Sequence, residues 1–558
     1  MNQKQGKTLK HMITRMFSMT LAMGLCFSSS VAYAANDGTR DYSGRWSEKV
    51  IEKWADEGIL GLDATLFKPT QAITHQEMNA MFSAMLNTET QLLTNPKTTR
   101  FDVAEALSQY LGVTSDGKVA FKDKDNFNQK QLQAVQALVN CGVLSGFPDG
   151  NFHGEAELTR EQALVLIDRV HQYVNAYDVV AKTQVKDSGL MVNALSYNVQ
   201  QSITEADMEQ LHFDITFVIA PNPWLKETEN KIQAAKITEI TLKNGQLNVN
   251  FEPTSYSSLI NVIVDCTNDR LDTVKGRFAV ETPIVDDFEM STYTSSEGIT
   301  IKYWLYTPKN PEGSVPLMVW EHGGGEVLSS SFEGANLVAN RGAVSWIENG
   351  YNTAVLSVQY PENYAFEITD NPEQFKMMKA YNLAKFELIS QLIDKGVVDK
   401  QRVYISGASS GGGGALRFIM QYPDLFAGGL LMCTKDTLVP MSLRYDLAYK
   451  LENKADLRIT QSEYDASYAA AISELKGNDI VDVPLWIVHA ENDQVCTSYT
   501  SLMLYDALNE LGAQKNHLSL YSDDEMEALG VHTIYHGVWT PTLHNLEIMD
   551  WLYSQSRA

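Results

Sequence analysis

Positive charge is scarce in this chain: 44 lysines and arginines stand against 69 aspartates and glutamates, a formal charge of −25 over 558 residues. A surface of that sign repels phosphate backbones, which excludes nucleic acid as a partner. Cysteine is scarce as well, five residues in all. Past Cys26, the remaining Cys141, Cys266, Cys433 and Cys496 are too scattered for a disulfide scaffold or a zinc site. Cys433 and Cys496 each follow an expected core strand, and two states stay open for them: a disulfide in an oxidising compartment, or free buried thiols. Long apolar runs are missing too. Beyond the N-terminal segment nothing approaches the roughly 18 apolar residues that cross a bilayer, so no membrane span is expected.

What is present begins with export. Lys4, Lys7, Lys10 and Arg15 precede the apolar run Met16 to Phe27, and Ala32-Tyr-Ala34 supplies small residues for cleavage. Residues 1–34 therefore read as a secretory signal peptide cut after Ala34. The rest is too long for one core, and two to four domains are expected.

Residues 36–175 carry a weak internal repeat on helical periodicity. In the first copy, Arg45 to Ala55 is an amphipathic helix, Gly58-Ile-Leu and Phe67-Lys-Pro69 form a loop, and Thr74 with Glu77 makes a capping box opening a second helix. A shortened middle copy retains Thr99-Arg-Phe-Asp102 and a helix over Ala104 to Leu111. The last copy has a helix over Leu132 to Val139, the turn-rich Gly142 to Phe152, and Leu158-Thr-Arg-Glu-Gln162. Asp123-Lys-Asp125-Asn-Phe-Asn fails as a calcium loop, because Phe127 stands where a ligand belongs. The Gly-Val-Leu-Ser-Gly, Pro-Asp-Gly-Asn-Phe and Leu-Thr-Arg-Glu segments resemble the S-layer homology domain of bacterial cell-surface proteins. That resemblance implies attachment to cell-wall polysaccharide through grooves lined by the Thr-Arg positions, here Arg100 and Arg160. The first copy has His75 where the arginine is usual.

Across residues 180–284 the period becomes two. Asp214–Ile219, Ile237–Leu242, Gln246–Phe251 and Leu259–Asp265 read as strands, Asn244-Gly245 reads as a hairpin turn, and a small Ig-like β-sandwich serving as a spacer is expected.

From 285 to 558 strands and helices alternate, which predicts a doubly wound, mostly parallel sheet. Strands are expected at Ile299–Tyr306, Leu317–Glu321, Thr353–Val358, Arg402–Ser406, Gly429–Cys433, Leu485–His489 and His517–Tyr521. After the fourth comes Gly407-Ala-Ser409-Ser-Gly411 and then a helical run. Strand, tight turn and helix are the context in which a Gly-x-Ser-x-Gly serine becomes an exposed nucleophile. A serine needs a base, and the base needs an orienting acid. Asp493, after Leu485–His489, is the expected acid, with Asp436 and Glu491 as fallbacks. Candidate bases beyond Tyr521 are His532, His536 and His544, the last expected inside the terminal helix. A resemblance to secreted esterases and predicted peptidases, whose catalytic histidine stands three residues before a tryptophan, implies His536 before Trp539, with His532 second. Glu321-His-Gly-Gly-Gly-Glu326 supplies backbone N–H groups for an oxyanion hole, assigned to Gly324, Gly325 and the N–H of Ser410.

These motifs, in this order, resemble the α/β-hydrolase superfamily, in particular secreted esterases and predicted peptidases related to prolyl oligopeptidases. Residues 435–483, with helical patterns at Leu443–Leu451 and Tyr464–Leu475, read as a cap. The sequence thus predicts a secreted, wall-attached serine hydrolase, with neither metal nor organic cofactor, acting on a carboxylic ester. A prolyl-oligopeptidase-like peptidase and a non-catalytic surface-binding protein with a hydrolase fold are the alternatives.

Overall fold

The computed structural model describes residues 40–60, 66–94, 96–115, 121–221, 227–272, 278–309, 311, 313–362, 372–435, 461–532 and 534–557. The expected signal peptide, the fallback Asp436 and the helical pattern at Leu443–Leu451 lie outside them. Two compact units result: the chain up to Thr99 with Ala156–Ile167, and Arg100–Glu155 with everything from Asp168 onward.

The first unit holds α1 (Glu48–Asp56), α2 (His75–Leu86) and the start of α5 (Arg160–Asn175). The Thr74–Glu77 capping box is formed, satisfying two N–H groups at the head of α2. A lock ties the unit together. Both carboxylate oxygens of Asp41 accept backbone N–H groups, from Phe67 at 2.8 Å and Lys68 at 2.7 Å. Arg160 donates to the Phe67 carbonyl at 2.9 Å and pairs with Glu77.

The second unit, which also contains α3 (Arg100–Leu111) and α4 (Gln129–Asn140), builds the same lock from different residues. Asp123 accepts from Phe152 and His153, both at 2.9 Å, and Arg100 donates to the Phe152 carbonyl at 2.8 Å. Lys68 and His153, the residues after each phenylalanine, share a left-handed φ of 55° and 54°. Asp123 thus does the work of Asp41, which explains an acidic residue in a segment that is no calcium loop.

The sandwich has a five-stranded sheet in the order β5-β6-β2-β1-β8 and a three-stranded sheet β4-β3-β7. The strands are β1 (Val179–Lys186), β2 (Gly189–Asn198), β3 (Phe213–Ile219), β4 (Lys231–Ala234), β5 (Ile237–Lys243), β6 (Gln246–Ser255), β7 (Leu259–Cys266) and β8 (Ala279–Glu281). Leu195, Tyr197 and Val249 from one sheet meet Phe213, Phe217 and Val262 from the other in one core. Asn244 and Gly245, both at positive φ, make the β5–β6 turn.

The remaining strands form one sheet, β16-β15-β14-β13-β11-β12-β10-β9. They are β9 (Glu289–Thr294), β10 (Thr300–Tyr306), β11 (Val315–Glu321), β12 (Ala354–Gln359), β13 (Val398–Ala408), β14 (Gly428–Met432), β15 (Leu485–Ala490) and β16 (His517–Tyr521). From β12 to β16 every pairing is parallel; β10 runs antiparallel to β12 and to β9. β11, β12 and β14 are buried at every residue, as strands covered on both faces must be. The mostly exposed β9 lacks that signature and was not expected from sequence. The carboxyl ends of β11 and β13 lie side by side, with Glu321 opposite Gly407, where the strand order reverses and such sheets open a crevice.

Candidate active site

β13 ends in a turn and the helix Ser410–Gln421 begins at once. Ser409, between them, has φ 58° and ψ −123°, a conformation that costs an L-residue about 1–3 kcal/mol and persists only where the surroundings impose it. Its neighbours impose it by close approach. A Cβ on Gly407 would lie 2.3 Å from the Gly411 carbonyl oxygen, and one on Gly411 would lie 2.1 Å from the Glu321 oxygen and 2.6 Å from that of His322. The head of the helix therefore packs directly on the end of β11 and the start of the glycine loop.

The acid and base expected from sequence meet. Asp493 Oδ2 is 2.7 Å from His536 Nδ1, and Oδ1 accepts the N–H groups of Val495 at 2.7 Å and Cys496 at 2.9 Å. Burial favours the neutral acid, but the charge of His536 and hydrogen bonds from His489 and His536 outweigh it and hold Asp493 below the usual carboxylate range. Ser409 is fastened through its backbone to the end of β14: its N–H donates to the Met432 carbonyl at 3.0 Å, and its carbonyl accepts from the Lys435 N–H at 3.0 Å. Between them lies Cys433, fully buried with φ 37°. Its sulfur and the ligand atoms of Asp493 and His536 fall within 4.8 Å of one another. That trio has the donor types of a metal site, but Asp493 and His536 already share a hydrogen bond, and burial pushes the Cys433 thiol well above its ordinary value. Both cysteines weighed for a disulfide are free.

The other candidates stand elsewhere. His532 is exposed and 2.7 Å from Glu527. His544 precedes the last helix, Leu546–Ser554, instead of lying in it, because Asn545 caps that helix through the N–H groups of Glu547 and Ile548; it bonds Asp187 at 3.1 Å. Glu491 follows the end of β15 and is exposed. In the glycine loop, Gly325 faces open space, whereas Gly323 lies nearer the elbow, a Cβ there falling 3.8 Å from the Ala408 carbonyl oxygen. Ser410, at the head of the helix, is buried.

Beneath the loop lies a polar cluster that sequence reasoning missed. Glu321 and Lys385 are a buried ion pair, each 1% exposed, and Tyr360 Oη donates to Glu321 at 2.8 Å. His322 Nδ1 bonds the Gly323 carbonyl at 2.7 Å while its Nε2 accepts the Tyr360 N–H at 3.2 Å, which requires a neutral ring. Burial supplies that neutrality, drawing His322 down to about 4. Gln359 fastens the other end of the loop by donating to the Glu326 carbonyl at 2.8 Å. Lys385 reaches the cluster from the long helix Pro372–Asp394.

The arginines assigned by resemblance to wall polymer are held inside the repeats. Arg100 is 8% exposed and donates to the carbonyls of Phe152 and Ser145. Arg160 serves Phe67 and Glu77. His75, at the position without arginine, bonds the Leu93 carbonyl at 2.9 Å. A cavity of about 1090 Å³ lies between the last repeat and the sandwich, bounded by Arg169, Tyr173 and Tyr256; Ser409, Asp493 and His536 do not line it.

Comparison with known proteins places families on this frame. Residues 385–527 match the prolyl oligopeptidase family, and 39–78 and 120–164 match the S-layer homology domain. Among curated proteins, 176 residues are 26% identical to an endoglucanase of Bacillus sp. strain KSM-635, and 114 residues are 29% identical to the outer membrane protein SlpA of Thermus thermophilus. The matches span 31% and 20% of this chain but only 15% and 11% of those proteins. Among solved structures, a thermostable esterase is 23% identical with a TM-score of 0.49, covering 68% of this chain and all of its own. A puromycin-hydrolyzing peptidase of Mycobacterium tuberculosis is 16% identical with a TM-score of 0.34, covering 52% of this chain and 43% of its own.

Proposed function

We propose that this chain, whose residues 39–78 and 120–164 match the S-layer homology domain and 385–527 the prolyl oligopeptidase family, is a wall-attached carboxylic ester hydrolase working through Ser409, His536 and Asp493. The observations that carry the reading are the strained Ser409, held by Gly407 and Gly411, and the separate Asp493–His536 hydrogen bond. Ser409 Oγ attacks the acyl carbon as His536 takes its proton. The tetrahedral oxyanion is met by the N–H of Ser410 and of Gly324 in the glycine loop. Collapse expels the alcohol, which takes the proton back from His536, and water repeats the sequence on the acyl-enzyme. Asp493, bonded to Nδ1, leaves Nε2 as the working nitrogen. In this reading the N-terminal signal exports the protein and the repeats hold it on cell-wall polysaccharide. Among the described residues no helix is long and apolar enough to cross a membrane.

The same machinery serves amide hydrolysis, so a peptidase is the second reading, favoured by the family match over residues 385–527. Hydrolysis of a short-chain p-nitrophenyl ester beside an aminoacyl-proline anilide, by wild type and Ser409→Ala, separates them. Ester cleavage lost in the variant supports the proposal; anilide cleavage alone would replace it with the peptidase.

A further inference from the structure

Asp493 Oδ2 is approached by two histidines. His536 Nδ1 lies at 2.7 Å, and His489 Nε2 lies at 3.2 Å from the same oxygen. The proton positions on His489 follow from its partners. Nε2 is 3.0 Å from the Cys496 carbonyl, which can only accept, so Nε2 carries a hydrogen. Nδ1 is 2.7 Å from Ser501 Oγ and accepts that hydroxyl's hydrogen when the ring is neutral. His489, Asp493 and Ser501 are all 0% exposed, so water does not compete for any of these bonds.

We infer that His489, oriented by Ser501 from the helix Tyr499–Glu510, is a positioning residue for the proposed triad. It fixes the Asp493 carboxylate and draws part of its negative charge away from His536. This rests on the hydrolase reading. The second effect has a sign that packing alone does not produce. The single Nε2 hydrogen of His489 is divided between the Cys496 carbonyl and Asp493 Oδ2, and a carboxylate oxygen sharing even part of a second N–H attracts His536 less strongly than it would alone. Without the His489 donor, the whole charge of Oδ2 faces His536 and favours its protonated, inactive form. The other groups facing His536 do not oppose this: Cys433 is a neutral thiol, and Trp539 presents a ring at 5.6 Å. The acid limb of the kcat/KM profile must then move to higher pH.

The test is ester hydrolysis across pH 5–9 by the full chain, its His489→Gln and His489→Leu variants, and Ser501→Ala. The wild-type rate, with covalent labelling of Ser409 by a fluorophosphonate, reports on the hydrolase reading. The ratios of variant to wild type report on His489. Gln keeps an N–H donor and retains most of the activity. Leu lowers kcat about tenfold or more with KM little changed, and shifts the acid limb upward by about half a unit. Ser501→Ala, which keeps the ring but frees it, gives a smaller shift in the same direction and stands in if the Leu variant does not fold. A folded Leu variant with unchanged kcat, or losses in any variant with an unmoved acid limb, would overturn the inference.

Discussion

Gly411→Ala sets two physical effects against each other. The residue lies within the helix Ser410–Gln421, where alanine is the better helix former by about 1 kcal/mol, so propensity alone predicts a more stable protein. The structure predicts the reverse. The new methyl carbon would lie 2.1 Å from the Glu321 carbonyl oxygen and 2.6 Å from that of His322, both backbone atoms with no rotamer to yield. Relief requires the helix and the glycine loop to part. Overpacking of this kind costs about 1–3 kcal/mol, enough to cancel the propensity gain and leave a net loss. Separating the proposed oxyanion donors of the helix head and the glycine loop by even part of an ångström removes stabilisation worth about 3 kcal/mol, or 10²-fold in rate. Thermal unfolding and p-nitrophenyl ester hydrolysis read the two consequences: a lower midpoint and a fall in kcat of about 10²-fold. Gly412→Ala, where the nearest backbone oxygen would be at 2.9 Å, is expected to be milder in both. A Gly411→Ala protein with full activity and a raised midpoint would refute the packing argument.

Three more outcomes follow from the same geometry. Asp493→Asn should lower kcat by about 10³–10⁴-fold with the fold intact, because the amide cannot hold the same His536 tautomer; circular dichroism beside ester kinetics checks it. Lys385→Met should destabilise by about 3–5 kcal/mol in denaturant titration, since it strands the Glu321 charge, and Glu321→Gln added to it should recover part of the loss. Neutral His322 makes stability depend on pH: the unfolded ring protonates below its ordinary 6.5 while the folded one waits until about 4. Its contribution is complete above 6.5 and is lost as pH falls to about 4, roughly 3 kcal/mol in all, and His322→Asn should flatten that part of the curve.

The frame of the candidate site was legible because its signals are local. Gly407 to Gly411 announces a turn by its own glycines, and the fully buried strands β11 and β14 announce themselves by nearly continuous apolar runs. Asp493 and His536 are 43 residues apart, and they were found through short motifs around each rather than through any pattern linking them. The supporting cluster had no such signature. Lys385 reaches Glu321 from 64 residues away, and one lysine on a long helix looks like any solvated residue until its surroundings are known. The β1–β2 hairpin was missed although burial alternates along β1 residue by residue, and edge strand β9 was missed because it is exposed almost throughout. The repeat arginines show a different limit: resemblance assigned them to polymer grooves, and the carbonyls they serve, Phe152 and Ser145 for Arg100 and Phe67 for Arg160, are presented only by the folded loops. His544 was misread for one residue's sake, since Asn545 starts the helix just after it.

The central claim is that Ser409 forms a covalent acyl-enzyme. Incubating the protein with a fluorophosphonate and mapping the adduct by peptide mass spectrometry tests it directly. The account predicts one adduct per chain, on Ser409, with hydrolysis lost in step with labelling. Hydrolysis that persists after complete labelling, or an adduct confined to another residue, would contradict it.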